Sequence, residues 1–276
     1  MKRGHALLAL ALAAAPAAAP AQTIDRSNGE AGAPILQLTT TPRAAALGGA
    51  LAAASGVTSI FANPAGAVTV GRFEAQLAGQ TLFEGSKAGS MALGVRRHAV
   101  GLALGIRYLD LGSVDEVVCN GCGGRGGGAA SFSAGVRGRL SSKLAVGASV
   151  QYLGGQVNVG GFGAPLPRTV RAGAELRPLG AGHERVHLLL AADYSAVRGA
   201  PGRLGGGIEA GLADPATQLL AVARLGYLSR AGGDFDSRPV TLGLGLRFHQ
   251  LSLDYAYQGA EVLSSQHRLG LTYFVP

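Results

Sequence analysis

Along most of the chain, apolar residues fall at every second position. Val100, Leu102, Leu104, Ile106 and Tyr108 alternate with Gly101, Ala103, Gly105 and Arg107. Leu144, Val146, Ala148, Val150 and Tyr152 alternate with Ala145, Gly147, Ser149 and Gln151, and Leu251, Leu253, Tyr255 and Tyr257 with Ser252, Asp254 and Ala256. A strand points successive side chains to opposite faces, so each run is a strand with one greasy face and one small or charged face. Six such runs close on an aromatic in the apolar phase: Phe83, Tyr108, Tyr152, Tyr194, Tyr227 and Tyr257. Aromatic rings at one level of an apolar outer surface are what the lipid–water boundary selects in transmembrane β-barrels.

The pattern predicts twelve strands, over 72–83, 87–96, 99–109, 130–140, 143–153, 168–177, 186–195, 203–212, 217–228, 239–248, 250–258 and 267–275. Segments of this length suit a tilted membrane strand, where soluble sheets average about five or six residues. Short connections at 97–98, 141–142, 213–216 and 249 alternate with generally longer ones, notably 111–129 and 154–167. Bacterial barrels keep their short turns periplasmic and their long loops external, so the six aromatics mark the outer rim. Phe73, Phe248 and Tyr273 stand at the opposite rim. The expected fold is all-β, a transmembrane antiparallel up-and-down β-barrel. A soluble antiparallel sandwich also alternates, but it would spread its aromatics through a core.

Only 14% of the residues are charged, against about 25% in soluble domains. No apolar run beyond residue 21 approaches the roughly 20 residues of a membrane helix. The first 21 residues read as a secretory signal peptide: Lys2 and Arg3, an apolar run from Ala6, then Ala19-Pro20-Ala21 as the cleavage site. The expected organisation is therefore a signal peptide over 1–21, an N-terminal periplasmic or plug segment over 22–70 and an outer-membrane barrel over 71–276. Such a protein would sit in the outer membrane of a Gram-negative-type bacterium, with lipid as its first partner.

The net charge is +8. Nucleic acid is an unsuitable partner for an exported chain whose arginines are scattered, without a basic patch interleaved with aromatics. Arg107, Arg137, Arg224 and Arg247 all face away from the apolar side and are lumen candidates, as is Asp254. They either create a basic lumen that favours anionic solutes or head groups, or pair with inward acids such as Glu74, Glu209 and Asp254. Glycine contributes 45 residues, many inside strands, where it permits curvature and close backbone approach.

Catalytic, cofactor and metal signals are lacking. Cys119 and Cys122 form a C-x-x-C in a glycine-rich external loop without the further ligands zinc needs, and are candidates for a local disulfide. The histidines are isolated, and neither H-E-x-x-H nor G-x-S-x-G occurs. The protein is expected to be no enzyme.

Residues 34–70 do not alternate. They carry Arg43-Ala44-Ala45-Ala46-Leu47-Gly48-Gly49-Ala50 and Phe61-Ala62-Asn63-Pro64-Ala65-Gly66. Asn-Pro opens a turn, so this segment either leads into the first strand or folds back as a plug. The two motifs, placed just before the first strand, resemble the PorV/PorQ family of outer-membrane proteins, which are similar to the FadL long-chain fatty-acid transporters. The run Leu251-Ser252-Leu253-Asp254-Tyr255-Ala256-Tyr257 with Arg268 to Phe274 resembles that family's last hairpin. The chain departs from the pattern at Val57-Thr58, at Ala62, and in ending Val275-Pro276 beyond Phe274.

The resemblance implies fourteen strands, with the extra pair in 154–167 or in 34–70. It also implies an N-terminal hatch inside the barrel at Asn63-Pro64-Ala65, held by Arg43 and Asn63. The function it implies is passage of hydrophobic or amphipathic small molecules, which enter from outside, displace the plug and leave sideways through a strand kink. The alternatives are a barrel subunit of a type IX secretion system that binds cargo signal domains, and a structural barrel with a filled lumen. No cofactor is implied.

Overall fold

The computed structural model describes residues 34–82, 85–98, 100–110, 130–159, 162–179, 185–229, 237–260 and 265–276. The strands are, in chain order, β1 (Phe73–Thr81), β2 (Lys87–Arg97), β3 (Val100–Asp110), β4 (Ser131–Arg139), β5 (Leu144–Gly154), β6 (Gln156–Val159) and β7 (Phe162–Pro165). They continue with β8 (Thr169–Leu179), β9 (Val186–Val197), β10 (Arg203–Asp214), β11 (Leu219–Leu228), β12 (Ser237–Phe248), β13 (Leu251–Ala260) and β14 (Gln266–Val275). Twelve of them build one antiparallel sheet in the order β3-β2-β1-β14-β13-β12-β11-β10-β9-β8-β5-β4. Successive wall strands pair antiparallel except β3 and β4, which form the two ends of the order, and the first strand pairs with the last, with Phe73 opposite Val275. This is the up-and-down barrel wall that the alternation predicts.

Among the described residues the wall has twelve strands, where the resemblance implies fourteen. The remaining pair lies within 154–167, as β6 and β7, but forms a sheet of its own. At four residues each these strands fall short of the roughly nine to eleven needed to cross a bilayer.

Burial along the wall is inverted relative to a soluble protein. Leu102, Leu104 and Ile106 on β3, Leu204, Ile208 and Leu212 on β10, Leu242, Leu244 and Leu246 on β12, and Leu269 and Leu271 on β14 are all exposed. Gln76, Gln80, Ser149, Asp193, Glu209, Arg224, Asp254 and Arg268 are buried. An apolar belt of this extent exceeds any patch a soluble monomer shows, and a lipid solvent explains it. No helix among the described residues is long and apolar enough to cross a membrane, so the crossing falls to the strands. Leu244, 62% exposed near mid-height of β12, provides the test. Leu244→Arg should cost about 2–4 kcal/mol of folding free energy in lipid vesicles, measured by denaturant titration. A soluble sandwich would tolerate this substitution with little change.

The rims follow from the same phase. Tyr108, Tyr194 and Tyr227 are exposed at the upper ends of β3, β9 and β11, and Tyr257 shares the face of Leu251 and Leu253. At the lower rim Phe73 and Tyr273 lie with ring centroids 6.4 Å apart, and Phe248 is exposed. Tyr152 departs from the expected outer ring. Its φ is +57°, at a register slip between β4 and β5 opposite Ser133, and its hydroxyl reaches inward to the Leu36 carbonyl. The slip adds a residue to one strand and so turns the next side chain to the other face. Phe83, Cys119 and Cys122 lie outside the described residues.

Candidate functional site

Residues 34–70 pack against the inner face of the wall. Leu36 meets Arg107 and Tyr152 near the upper ends of β3 and β5, and Val70 leads into β1 at the lower end, so the segment descends through the barrel. Its pieces are short: 3₁₀ turns at Pro34–Gln37, Val57–Phe61 and Pro64–Thr69, and one helical turn, α1, at Pro42–Ala46. Pro42 and Pro64 each open a helix, where the missing proline N–H costs nothing. Gly48 and Gly49, both at positive φ, end α1. Asn63 is fully buried and caps the last turn by accepting from the Ala65 N–H at 3.0 Å.

Such a segment has few backbone bonds of its own, so the wall supplies them. Asp193 on β9 accepts from the backbone N–H groups of Leu51 and Ala52, each at 2.7 Å. Arg171 on β8 donates to the Gly49 carbonyl at 2.8 Å and pairs with Asp193 at 3.3 Å. Arg137 donates to Ala53 O at 2.8 Å, Ser149 to Ala62 O at 2.6 Å, and Gln151 to Phe61 O at 3.1 Å. Arg107 donates to Leu36 O and Phe61 O and lies over the Phe61 ring at 4.5 Å. Asn63 reaches both ways, donating to Ala52 O in the plug at 2.7 Å and to Val136 O on β4 at 3.0 Å.

A second group of side chains forms an ion-pair chain below α1. Arg43 meets Glu209 at 3.2 Å and Glu175 at 4.0 Å, and Arg177 meets Glu175 at 2.7 Å. Glu209 also contacts Arg224 at 2.6 Å and His187 at 2.8 Å, and Arg224 continues to Asp254 at 2.7 Å. Glu209, and more weakly Glu175, raise the Arg43 pKa above its already high value against the opposing effect of burial, so the plug carries a fixed cation into an acidic socket. Arg247 lies over the Phe274 ring at 4.1 Å. Of the two readings of the lumen arginines, neither holds for all of them: Arg224 pairs with acids, while Arg107 and Arg137 hold plug carbonyls.

The ends of the sheet, β3 and β4, share no ladder among the described residues. The Pro64–Thr69 turn stands between them. A Cβ placed on Gly101 of β3 would lie 2.8 Å from the Val68 Cα, and Asn63 binds the β4 backbone. Val68 is 46% exposed, so this plug turn completes the wall where strand pairing stops. Lipid-exposed backbone edges do not survive in hydrocarbon unless something covers them. Above this turn a cavity of about 240 Å³ lies between β3, β4, β5 and the plug, lined by Leu36, Ile60, Phe61, Arg107, Ser133, Gln151 and Tyr152. Below the plug, a polar vestibule of about 400 Å³ opens around Arg43, Glu74, Arg177, His187, Arg247 and Thr69.

Alternation places Arg107, Arg137, Arg224, Arg247 and Asp254 on the inner face but does not by itself single out Asp193, which accepts two N–H groups of the plug. Its signal was available: it sits in the opposite phase to Tyr194, as Arg107 does to Tyr108.

No protein-family model matches the chain, and no curated protein matches it in sequence. Solved structures do match. The crystal structure of the Ralstonia pickettii toluene transporter TbuX aligns with a TM-score of 0.51 at 12% identity, covering 84% of this chain and 97% of that one. The Acinetobacter baumannii outer membrane protein Omp33 aligns with a TM-score of 0.40 at 10% identity, covering 74% and 98%. Fold, lipid-facing belt and inward polar face agree: the chain is an outer-membrane β-barrel, and the inward side chains of its wall bond residues 34–70.

Proposed function

We propose that the protein passes small hydrophobic or amphipathic molecules across the outer membrane, in the manner of FadL-type barrels. The observation that carries this reading is the cavity beside the gap between β3 and β4. Leu36, Ile60 and Phe61 supply apolar surface, while Arg107 and the Tyr152 hydroxyl supply a polar end. At about 240 Å³ it is somewhat smaller than the roughly 300–1,000 Å³ of drug-sized sites. It therefore suits a monoaromatic or short-chain ligand, in keeping with the fold's likeness to a toluene transporter. The ligand would enter from above, displace Leu36 and Phe61, and leave sideways where the Pro64–Thr69 turn now covers the strand edges. Arg43, Asn63 and Pro64 would serve as the hatch. No step needs catalysis or a cofactor.

The PorV/PorQ alternative, a grip on cargo signal domains, would act through the outer loops. Of the described outer connections, the one between β9 and β10 spans residues 198–202 and the one between β5 and β8 carries the short β6–β7 sheet. Copurification of translocon subunits with the native protein would favour that alternative.

Ser133→Trp tests the transport reading by filling the cavity from β4 while leaving the ion-pair chain untouched. Uptake of a monoaromatic hydrocarbon should fall about tenfold, equivalent to roughly 1.4 kcal/mol of lost binding. Heat-modifiable gel migration would report the barrel intact. Unchanged uptake through a folded variant would sink the proposal.

A further inference from the structure

The wall buries two arginines, and they are treated very differently. Arg224 lies between Glu209 and Asp254. Arg268 on β14, only 5% exposed, meets no carboxylate among the described residues. Its Nε donates to Gln80 Oε1 at 2.6 Å and to Thr39 O at 3.1 Å, and its Nη2 to the Gln258 and Gln266 side-chain oxygens. These acceptors are all neutral, and Nη1 has no partner. Removing a guanidinium from water without a counter-charge is among the costliest arrangements a fold can hold.

The groups around it point the same way. Gln80 Nε2 and Thr40 Oγ1 are likewise buried without a partner. Gln80 and Thr39 both bond the same Arg268 Nε, and Thr40 follows Thr39 in the chain, so the plug, β1 and β14 meet at this guanidinium. Ser90 Oγ, also without a partner, lies on the adjoining strand β2, two residues from Ala88, which stands opposite Gln80. A buried water could satisfy the amide and the hydroxyls. It would leave the positive charge uncompensated.

We infer that Arg268, Gln80 and Thr40 bind a small monovalent anion, a halide or a carboxylate group, that ties the plug to the wall. A guanidinium, an amide N–H and a hydroxyl are all donors that favour such a ligand. Because Thr39 and Thr40 belong to the plug while Arg268 and Gln80 belong to the wall, the anion would stabilise the seated plug. This inference stands independently of what the barrel transports.

The test uses the purified full-length protein in detergent. Melting temperature is followed as sodium gluconate, a bulky anion, is replaced at constant ionic strength by sodium chloride or by sodium formate. A saturable rise is expected, because a ligand of the native state stabilises in proportion to its occupancy. Arg268→Gln should abolish the rise, and Thr40→Val, which keeps the shape and removes one donor, should weaken the apparent affinity about tenfold. Chloride and formate acting alike would identify a free anion site, whereas formate acting alone would identify a site for carboxylate heads. Crystals soaked in bromide should show an anomalous peak beside Arg268 Nη1 in the first case only. A melting temperature indifferent to both anions, or an equal response from wild type and Thr40→Val, would overturn the inference.

Discussion

Replacing Asp193 by alanine should make the barrel leak more. Its carboxylate receives the Leu51 and Ala52 N–H groups at 2.7 Å, and no other side chain in the described lumen accepts two plug amides. Hydrogen bonds to a charged group contribute about 1.5–3 kcal/mol each. Losing both would lower the cost of unseating this stretch by roughly 3–6 kcal/mol, which raises the open population about 10²–10⁴-fold. The loss also strips Arg171 of its acid partner and loosens the donor that holds Gly49 O. Conductance across planar bilayers would read the change as longer and more frequent openings. Asp214→Ala is the control, because that carboxylate sits at a lower turn and bonds Thr217 and Ala216 only. Wild-type conductance from Asp193→Ala would mean that the plug is held elsewhere.

The barrel was legible in the sequence because its signal is repeated and local. Every wall strand must put apolar atoms toward lipid at alternate positions, so Leu102 to Tyr108 declares its faces without reference to any other part of the chain. The plug has no such constraint. Its Ala- and Gly-rich sequence has no apolar face of its own, and its shape is dictated by donors and acceptors far away in sequence, such as Asp193 for Leu51 and Ala52. Asn63 and Pro64 were visible as a turn, but the carbonyl Asn63 would hold on β4 was not. Tyr152 shows the opposite failure. Its alternation is clean in the sequence, and one extra residue in its own strand, where Gln151 and Tyr152 stand opposite the single Ser133, turns it inward.

The inward glycines link the two halves of the molecule. Alternating Gly and Ala on the inner face could mark either an open pore or a space kept for backbone; the plug favours the second. Its carbonyls approach the wall so closely that a methyl group would overlap them, and the wall's polar residues fill the gaps between glycines with donors. The same two residue classes that leave the lumen wide therefore also close it.

Gly147→Ala should unseat the plug as completely as loss of Asp193, by steric force. A Cβ on Gly147 would overlap the Ala52 carbonyl oxygen, and backbone of this kind has little freedom to retreat. Ala52 is fixed on both sides, its N–H by Asp193 and its oxygen by Asn63. Overpacking commonly costs about 1–3 kcal/mol where neighbours can shift, and here the shift must break one of those bonds as well. The plug should move and the twelve-strand wall should remain, because β5 keeps its ladders to β4 and β8. Retained heat-modifiable migration together with raised liposome permeability is the expected result. Gly138→Ala, on β4 one residue from Gly147's partner Arg137, meets nothing within 4 Å and should change neither reading. A tight Gly147→Ala barrel would show that the plug can reseat without the contact between Ala52 and Asn63, and would remove close packing as the reason the lumen is shut.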